Sequence, residues 1–251
     1  MTDYQNILVT GGAGFVGSNL AISFKKDYEN IRVTALDNLK RRGSELALKR
    51  LADHGVEFCH GDIRNTEDIS QAGGFDLLIE CSAEPSVHAG YGSSPAYLIN
   101  TNLTGTTHCL EMARENNADI VFLSTSRVYP IRPLRDLPLE EQNGRLEISP
   151  GQSGPGWSPD GISETFPLNG PRSLYGATKL ASELLLTEYT EMYCIRSIIH
   201  RCGVLTGHWQ MGKVDQGLMV LLAARHLYCV PLASMGFGGT GSQVRDILHV
   251  A

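Results

Sequence analysis

Long apolar runs, an excess of basic residues and a secretion signal are all missing from this 251-residue chain. The longest apolar run, residues 218–224, falls far short of the roughly 20 residues that a membrane-spanning helix needs. The N-terminus carries no basic-then-apolar signal pattern, and the net charge is −6. We therefore expect a cytosolic protein with no nucleic-acid partner and no membrane partner.

Ligand spacings typical of metal sites are missing as well. The histidines at positions 60, 88, 108 and 249 form no HxxxH or HExxH motif, and the cysteines form no CxxC pair. The six cysteines are scattered along the chain: Cys59, Cys81, Cys109, Cys194, Cys202 and Cys229. We predict buried, reduced thiols, no disulfide or zinc framework, and no metal site.

Short apolar runs alternate with helical stretches along most of the chain. Predicted buried strands cover residues 7–9, 31–37, 56–59, 77–79, 120–123 and 195–199, and the clearest predicted helices cover 102–115 and 173–189. Apolar runs without polar alternation, separated by helices, are typical of a parallel sheet covered on both faces. The sequence therefore predicts a doubly wound α/β fold of the Rossmann type.

A glycine-rich turn directly follows the first predicted strand. Gly11 can adopt the tight turn, Gly14 lets the backbone approach a pyrophosphate, and Gly17 allows the next helix to pack closely on the strand. That helix begins near Phe15 and Val16, where its N-terminus supplies amide donors and a partial positive charge. Strand, turn and helix in this order predict a dinucleotide site.

An acid, Asp37, ends the second predicted strand, twenty residues after Gly17. A carboxylate there can accept hydrogen bonds from both adenosine ribose hydroxyls and would repel a 2′-phosphate, which favours NAD over NADP. Arg41 and Arg42 leave NADP open, because a guanidinium near the ribose would offset the charge of Asp37. The alternative for Asp37 and Asn38 is an ordinary turn at the end of a strand.

Tyr175 and Lys179 lie four residues apart, on one face of a predicted helix that starts at Ser173. A phenol with a pKa of about 10 is a poor base at neutral pH. A lysine ammonium one turn away, together with a cationic nicotinamide ring, favours the phenolate. Lys179 can also hold the nicotinamide ribose. Such pairs are common on helix surfaces, but after a complete dinucleotide site this one is predicted to be catalytic.

Three hydroxyl residues, Ser124, Thr125 and Ser126, close the fifth predicted strand. Doubly wound folds bind ligands at this carboxyl edge of the sheet. A hydroxyl there can share a hydrogen bond with the reacting oxygen of a substrate and with the Tyr175 oxygen. Hydroxyls at strand ends are also frequent turn formers, so the residues alone leave their role open.

Taken together, these motifs resemble the extended short-chain dehydrogenase/reductases that modify nucleotide sugars. The similarity is spread over TGGAGFVGSN, LDNL, GDIRN, NLTGT, STSRVY, SLYGATK and GSQVRDILHV. It implies that Thr125 is the hydroxyl partner of Tyr175, that Asn102 supports the active-site backbone, and that Arg245 binds the substrate diphosphate. An ion pair with Asp246 is the alternative for Arg245. Further cofactor contacts are implied at Asn38, Asp62, Ile63 and Ala83, and a substrate contact at Arg201.

A narrower resemblance, to family members that epimerise C2 of a CDP-linked sugar, is based on residues 37–43, 211–217 and 236–250. It implies that Tyr175 deprotonates the C2 hydroxyl while NAD takes the C2 hydride and later returns it to the other face. Ser126 and Arg127 stand where dehydratases of the family carry Asp and Glu. Val204 stands where the family usually has a substrate-contacting Asn.

The resemblance also implies a domain organisation. Residues 1–130 and 171–207 would form the NAD-binding domain, and residues 131–170 and 208–251 a smaller substrate lobe that is C-terminally incomplete. A homodimer or tetramer is implied, through the helices predicted at 102–115 and 173–189. Two other functions stay open: an NAD(P)-dependent nucleotide-sugar dehydrogenase or reductase, and a non-catalytic dinucleotide-binding protein.

Overall fold

The structure, a computed structural model, describes residues 4–212, 216–231 and 244–250. Its strands in chain order are β1 (Asn6–Thr10), β2 (Arg32–Asp37), β3 (Glu57–His60), β4 (Leu77–Glu80), β5 (Asp119–Thr125), β6 (Leu139–Gln142), β7 (Arg145–Ile148), β8 (Trp157–Ser158), β9 (Gly161–Ile162), β10 (Ser197–Cys202), β11 (Val204–Thr206) and β12 (Ile247–His249). Its α-helices are α1 (Phe15–Asp27), α2 (Ala47–Asp53), α3 (Thr66–Ser70), α4 (Ala96–Ile99), α5 (Thr106–Asn116), α6 (Ile131–Arg135), α7 (Leu174–Tyr193) and α8 (Leu218–Leu227). A π-helical segment, Asn100–Gly105, joins α4 to α5, and 3-10 turns cover Ser44–Leu46 and Ser126–Val128.

A six-stranded parallel sheet forms the centre of the fold, in the order β10-β5-β4-β1-β2-β3. Consecutive residues of β1 point to opposite faces, and both faces are covered: Leu8 belongs to one apolar core, Ile7 and Val9 to the other. The doubly wound α/β prediction is therefore confirmed. The strand order reverses between β1 and β4, and the carboxyl ends of strands at such a switch point form the usual ligand crevice.

Two predicted boundaries are shifted at the end of the helix that carries Tyr175. The helix continues to Tyr193 instead of ending at residue 189, and Cys194 then adopts a left-handed conformation with φ of 56°. As a result, the sixth strand of the sheet begins at Ser197 and not at residue 195. Local apolar periodicity does not distinguish a last helical turn from the first residues of the next strand.

The stretch between residues 130 and 171, which has no periodic apolar pattern in the sequence, contains helix α6 and two antiparallel hairpins. Strands β6 and β7 pair around Asn143 and Gly144, whose φ angles are 52° and 80°. An Asn-Gly dipeptide is the usual signal of such a turn, so the sequence did contain the information. Strands β8 and β9 have two residues each, which is too short for an alternating pattern to be recognised.

The prediction that the cysteines are buried is confirmed for Cys109 and wrong for two others. All six thiols are free; Cys59, Cys81 and Cys202 are half-buried, and Cys194 and Cys229 are exposed. Both follow the end of a helix in a left-handed conformation, with φ of 56° and 54°, where the chain turns at the surface. Within the described ranges, no three metal-ligating side chains come together, and no helix there has the length and apolar character to cross a bilayer.

Candidate functional site

A cavity of about 580 Å³ opens at the carboxyl edge of the sheet, above the switch point. This size is in the range of small-molecule and cofactor sites, roughly 300–1,000 Å³. Its lining includes seven residues for which the sequence predicted cofactor contacts: Gly11, Gly14, Asp37, Asn38, Asp62, Ile63 and Ala83. The cavity therefore brings together residues from the ends of β1, β2, β3 and β4.

The glycine turn after β1 has no room for side chains. Gly11 has a φ of 62°, and a Cβ on it would lie 2.9 Å from the Cys81 carbonyl oxygen. A Cβ on Gly17 would collide with the Gly11 carbonyl oxygen and lie 2.9 Å from Gly12 Cα. The Gly14 amide donates to the Gly11 carbonyl at 3.0 Å, which closes the turn. The turn is therefore a bare backbone cradle of the kind that admits a pyrophosphate.

Helix α1 begins at this turn, with Gly14 as its N-cap and Phe15 and Val16 as its first residues. No side chain caps the N-terminus, and its first turn contains no acidic residue. The first amides of a helix have no partner within the helix and carry a partial positive charge. An anion at this point would be stabilised by both effects.

Asp37 is held between two backbone amides at the end of β2. Its Oδ2 accepts from Ala13 at 3.1 Å and its Oδ1 from Leu39 at 2.8 Å. Burial raises the pKa of this carboxyl, while the backbone hydrogen bonds act in the opposite direction. The side chain is thus fixed at the cavity wall, where the sequence predicted a ribose contact.

Asp62 is tied to its neighbours more strongly than the sequence suggested. Its carboxylate pairs with Arg64 at 2.6 Å and accepts from Asn38 Nδ2 at 2.8 Å. The hydrogen bonds from Arg64 lower the pKa of this carboxyl. Asp62 therefore links the ends of β2 and β3, and its contact with an adenine edge, like that of Ile63, stays a prediction.

Asn102 connects the cavity floor to helix α7 from inside the π-helical segment. It is fully buried; its Oδ1 accepts from the Glu84 amide at 2.7 Å, and its Nδ2 donates to the Glu84 carbonyl at 3.1 Å and to Thr178 Oγ1 at 3.3 Å. Glu84 itself lines the cavity. This is the backbone-supporting geometry that the resemblance implied, in a π-helical segment of a kind often found at functional sites.

Replacing Asn102 with alanine should destabilise the protein. The half-buried amide and carbonyl of Glu84 would lose their partners, which costs up to about 1–3 kcal/mol for each unsatisfied group. Urea unfolding of the variant and the parent measures the loss. Gln71→Ala, which removes an exposed side-chain amide, is the control and should unfold like the parent. An unchanged free energy of unfolding for Asn102→Ala would contradict the role of Asn102 in supporting the Glu84 backbone.

Tyr175 and Lys179 lie on the buried side of α7, 9% and 2% exposed. Ser173 caps the helix as predicted, accepting from the Gly176 amide at 3.1 Å. A Cβ on Gly176 would collide with the Arg127 carbonyl, so the first turn of α7 packs directly on the chain that leaves β5. This close approach brings Tyr175 to the carboxyl end of β5.

Thr125 is the last residue of β5 and 6% exposed. Its Oγ1 accepts from the Arg127 amide at 3.2 Å and caps the following 3-10 turn. Thr125 therefore does form a turn, which is one of the two roles that the sequence left open. Partnership between Thr125 and Tyr175 stays a prediction, supported by their shared position at the end of β5.

Two buried glutamates at the site were missed by the sequence reasoning. Glu80, the last residue of β4, lies 3.4 Å from Lys179 Nζ. Glu183 accepts a hydrogen bond from Ser124 and pairs with Arg201. Glu183 follows Lys179 by one helical turn and shares its face, which was a usable signal. Glu80 had a weaker signal, an acid directly after an apolar run.

Arg201 and Arg245, the predicted substrate contacts, have different surroundings. Arg201 pairs with Glu183 at 2.8 Å and also donates to the Tyr129 hydroxyl, so it organises the walls of the site. Arg245 is half-buried; burial lowers its pKa, and the nearby charge of Arg127 lowers it further. Two neighbouring guanidiniums favour an anion, but both substrate contacts stay predictions.

Part of the narrower resemblance falls outside the described residues. This holds for residues 213–215 of the segment 211–217 and for residues 236–243 of the segment 236–250. The remaining residues of those segments include Met211 and Gly212, which line the cavity.

Comparison with known proteins gives consistent matches over the whole chain. The sequence profile described as the NAD dependent epimerase/dehydratase family matches residues 7–251. The chain is 30% identical to CDP-paratose 2-epimerase of Salmonella typhi, over 98% of the chain and 71% of that protein. It is 28% identical to dTDP-glucose 4,6-dehydratase of Mycolicibacterium smegmatis, over 98% of the chain and 65% of that protein. A crystal structure of dTDP-glucose 4,6-dehydratase from Bacillus anthracis in complex with NAD matches with a TM-score of 0.73 and 26% identity, covering 98% of this chain and 68% of that one. The chain thus spans about two thirds of the length of these proteins.

Proposed function

Because this chain belongs to the NAD-dependent epimerase/dehydratase family, with NAD as its cofactor, we propose that it is a nucleotide-sugar epimerase. The proposed reaction inverts a hydroxyl-bearing ring carbon, in the first instance C2 of a CDP-hexose. The observation that carries the proposal is the placement of Tyr175 and Lys179 on the buried face of α7, against the end of β5. The similarity to CDP-paratose 2-epimerase supports the choice of sugar carbon and nucleotide.

The described residues fit the cofactor. The glycine cradle and the first amides of α1 would hold the pyrophosphate, and Asp37 would hold the adenosine ribose. Lys179, one helical turn after Tyr175 on α7, would hold the nicotinamide ribose. When bound, NAD supplies a hydride acceptor that can return the hydride to the same carbon.

Tyr175 moves the proton in this reaction. As a phenolate it takes the hydroxyl proton while the carbon gives up its hydride, so the alcohol becomes a ketone. Thr125 would hydrogen-bond the same oxygen and hold it near Tyr175. When the ketone has turned to present its other face and is reduced again, Tyr175 would give the proton back to oxygen. No net oxidation results.

Epimerisation is favoured over water elimination by the residues after Thr125. Relatives that are dehydratases belong to the same family. Loss of water needs an acid and a base next to the sugar, and Ser126 and Arg127 stand at the positions that the resemblance assigns to them. An arginine is charged at all ordinary pH values and cannot act as the base.

The substrate is proposed to lie between the cofactor and two segments outside the NAD-binding domain. These are residues 131–170, which contain the two hairpins, and residues 208–251, which contain α8 and Arg245. Arg245 and Arg127 would together attract the diphosphate.

The experiment is a panel of CDP-, UDP-, GDP- and dTDP-sugars, with each ring carbon followed by NMR. An epimerase inverts one carbon without accumulating NADH. Stoichiometric NADH formation or consumption would instead identify a dehydrogenase or reductase. Cofactor binding without any sugar conversion would identify a non-catalytic dinucleotide-binding protein.

Replacing Asp37 with asparagine should relax the preference for NAD. The carboxylate that repels a 2′-phosphate is removed, while Arg41 and Arg42 still line the cavity. We expect the ratio of NADP to NAD affinity to rise at least about tenfold, the equivalent of about 1.4 kcal/mol. Calorimetric titration with both cofactors measures the ratio. Asp53→Asn, at the exposed end of α2, is the control. An unchanged ratio of NADP to NAD affinity in Asp37→Asn would contradict the assignment of Asp37 as the residue that repels a 2′-phosphate.

A further inference from the structure

Glu80 and Lys179 form an ion pair beneath the floor of the cofactor cavity. Glu80 Oε2 and Lys179 Nζ are 3.4 Å apart, and the side chains are 1% and 2% exposed. The three residues after Glu80 line the cavity. The ammonium also lies 4.3 Å from the centroid of the Phe122 ring. The pair is therefore enclosed in the protein, yet directly beside the site.

Stability does not explain this pair. Desolvation of two charges often exceeds their attraction, so apolar residues at such positions are commonly as stable or more stable. The carboxylate is also incompletely satisfied: within the described part of the chain, Glu80 Oε1 has no hydrogen-bond partner. The same holds for Oγ1 of Thr10, which is opposite Glu80 in the register of β1 and β4. Incompletely satisfied buried polar groups are uncommon and often have a functional role.

The other ionisable groups around the pair are neutral or paired. The thiols that interact with it electrostatically are Cys81 after β4, Cys109 on α5 and Cys202 on β10. Burial raises the pKa of each of these thiols, so they carry no charge near neutral pH. Glu183, one turn farther along α7, is paired with Arg201. The charge one turn from Tyr175 is therefore set by Lys179 and Glu80 together.

We propose that Glu80 is a positioning residue that compensates the charge of Lys179, so that Tyr175 ionises in response to bound cofactor and not to Lys179 alone. A pair without net charge exerts little field on a phenol one turn away. The remaining positive charge that can favour the phenolate is the oxidised nicotinamide ring. Tyr175 therefore removes a proton only when oxidised NAD is bound at the site. The inference rests on the proposed function only in taking Tyr175 as the base.

The test is an NMR titration of Tyr175 in the full, cofactor-free chain. Tyrosines are labelled with ¹³C at Cζ, and the Tyr175 signal is the one missing from Tyr175→Phe. In Glu80→Gln, we expect the midpoint of the Tyr175 titration to fall by about one pH unit, because an uncompensated positive charge one helical turn away favours the phenolate. Glu80→Asp, which keeps the negative charge, is the control and should stay within about 0.3 unit of the parent.

A second variant tests the same claim if Glu80→Gln does not fold. The double variant Glu80→Gln, Lys179→Met removes both charges, so the net charge beside Tyr175 does not change. We expect the midpoint to move by less than about half a unit. A rise of about half a unit or more in the double variant, or no fall after Glu80→Gln, overturns the proposal. The titration uses neither substrate nor turnover, so its failure is distinguishable from a negative result in the sugar panel.

Discussion

Tyr175→Phe is expected to lower turnover of the nucleotide sugar by about 10²- to 10⁴-fold, the usual contribution of a positioned acid–base group. This corresponds to about 2.7–5.4 kcal/mol of transition-state stabilisation. Phenylalanine fills the same buried space at the start of α7 but has no oxygen to take the hydroxyl proton. NAD affinity should change little, because Gly11, Gly14 and Asp37, which line the cavity, are untouched. Turnover is measured by NMR of the converted ring carbon, and NAD affinity by calorimetric titration.

The matched control is Tyr193→Phe, which removes a hydroxyl from the exposed C-terminal end of the same helix. It should turn over like the parent. If Tyr175→Phe does the same, Tyr175 is not the base. If Tyr175→Phe instead loses NAD binding to the same extent as turnover, the residue supports the cavity and does not move a proton.

Gly17→Ala is expected to weaken NAD binding by about 10- to 100-fold. The new Cβ would overlap the Gly11 carbonyl and Gly12 Cα, which are backbone atoms that cannot rotate away. Either α1 or the turn must shift, and overpacking of this kind costs about 1–3 kcal/mol. The amides that line the cradle move with the turn, so the loss should appear in cofactor affinity as well as in thermal stability.

Gly74→Ala is the control for this variant. A Cβ on Gly74 would meet only Asn116 Oδ1, at an ordinary 3.6 Å, so affinity and melting temperature should both stay at parent values. Parent-like NAD affinity in Gly17→Ala would show that the cradle tolerates a side chain, which contradicts its role in holding the pyrophosphate.

The features that were predictable from sequence are those encoded locally. The strands β1 and β4 are apolar runs buried on both faces, and the glycine turn with Asp37 has a fixed order and spacing. The pair Tyr175 and Lys179 needed only helical periodicity. Each of these signals lies within about thirty residues of chain, so a single sequence is enough to recognise it.

The rest depends on contacts between distant parts of the chain. Glu80 meets Lys179 across 99 positions, and Asn102 meets Thr178 across 76. A pattern among neighbouring residues carries no information about pairs so far apart in the sequence. The buried state of Glu80 follows from its place in the middle of a parallel sheet, between Thr10 and Phe122. Arg201 could be predicted as a substrate-binding cation, but its ion pair with Glu183 could not be predicted.

The most direct test of the account is conversion of the responding nucleotide sugar in D₂O, with NAD present at the concentration of the protein. Transient oxidation with return of the hydride predicts an equilibrium between two sugars that differ at one carbon. That carbon should keep its original hydrogen, and no NADH should accumulate. Deuterium at the inverted carbon, or NADH equal to the sugar consumed, would contradict the account.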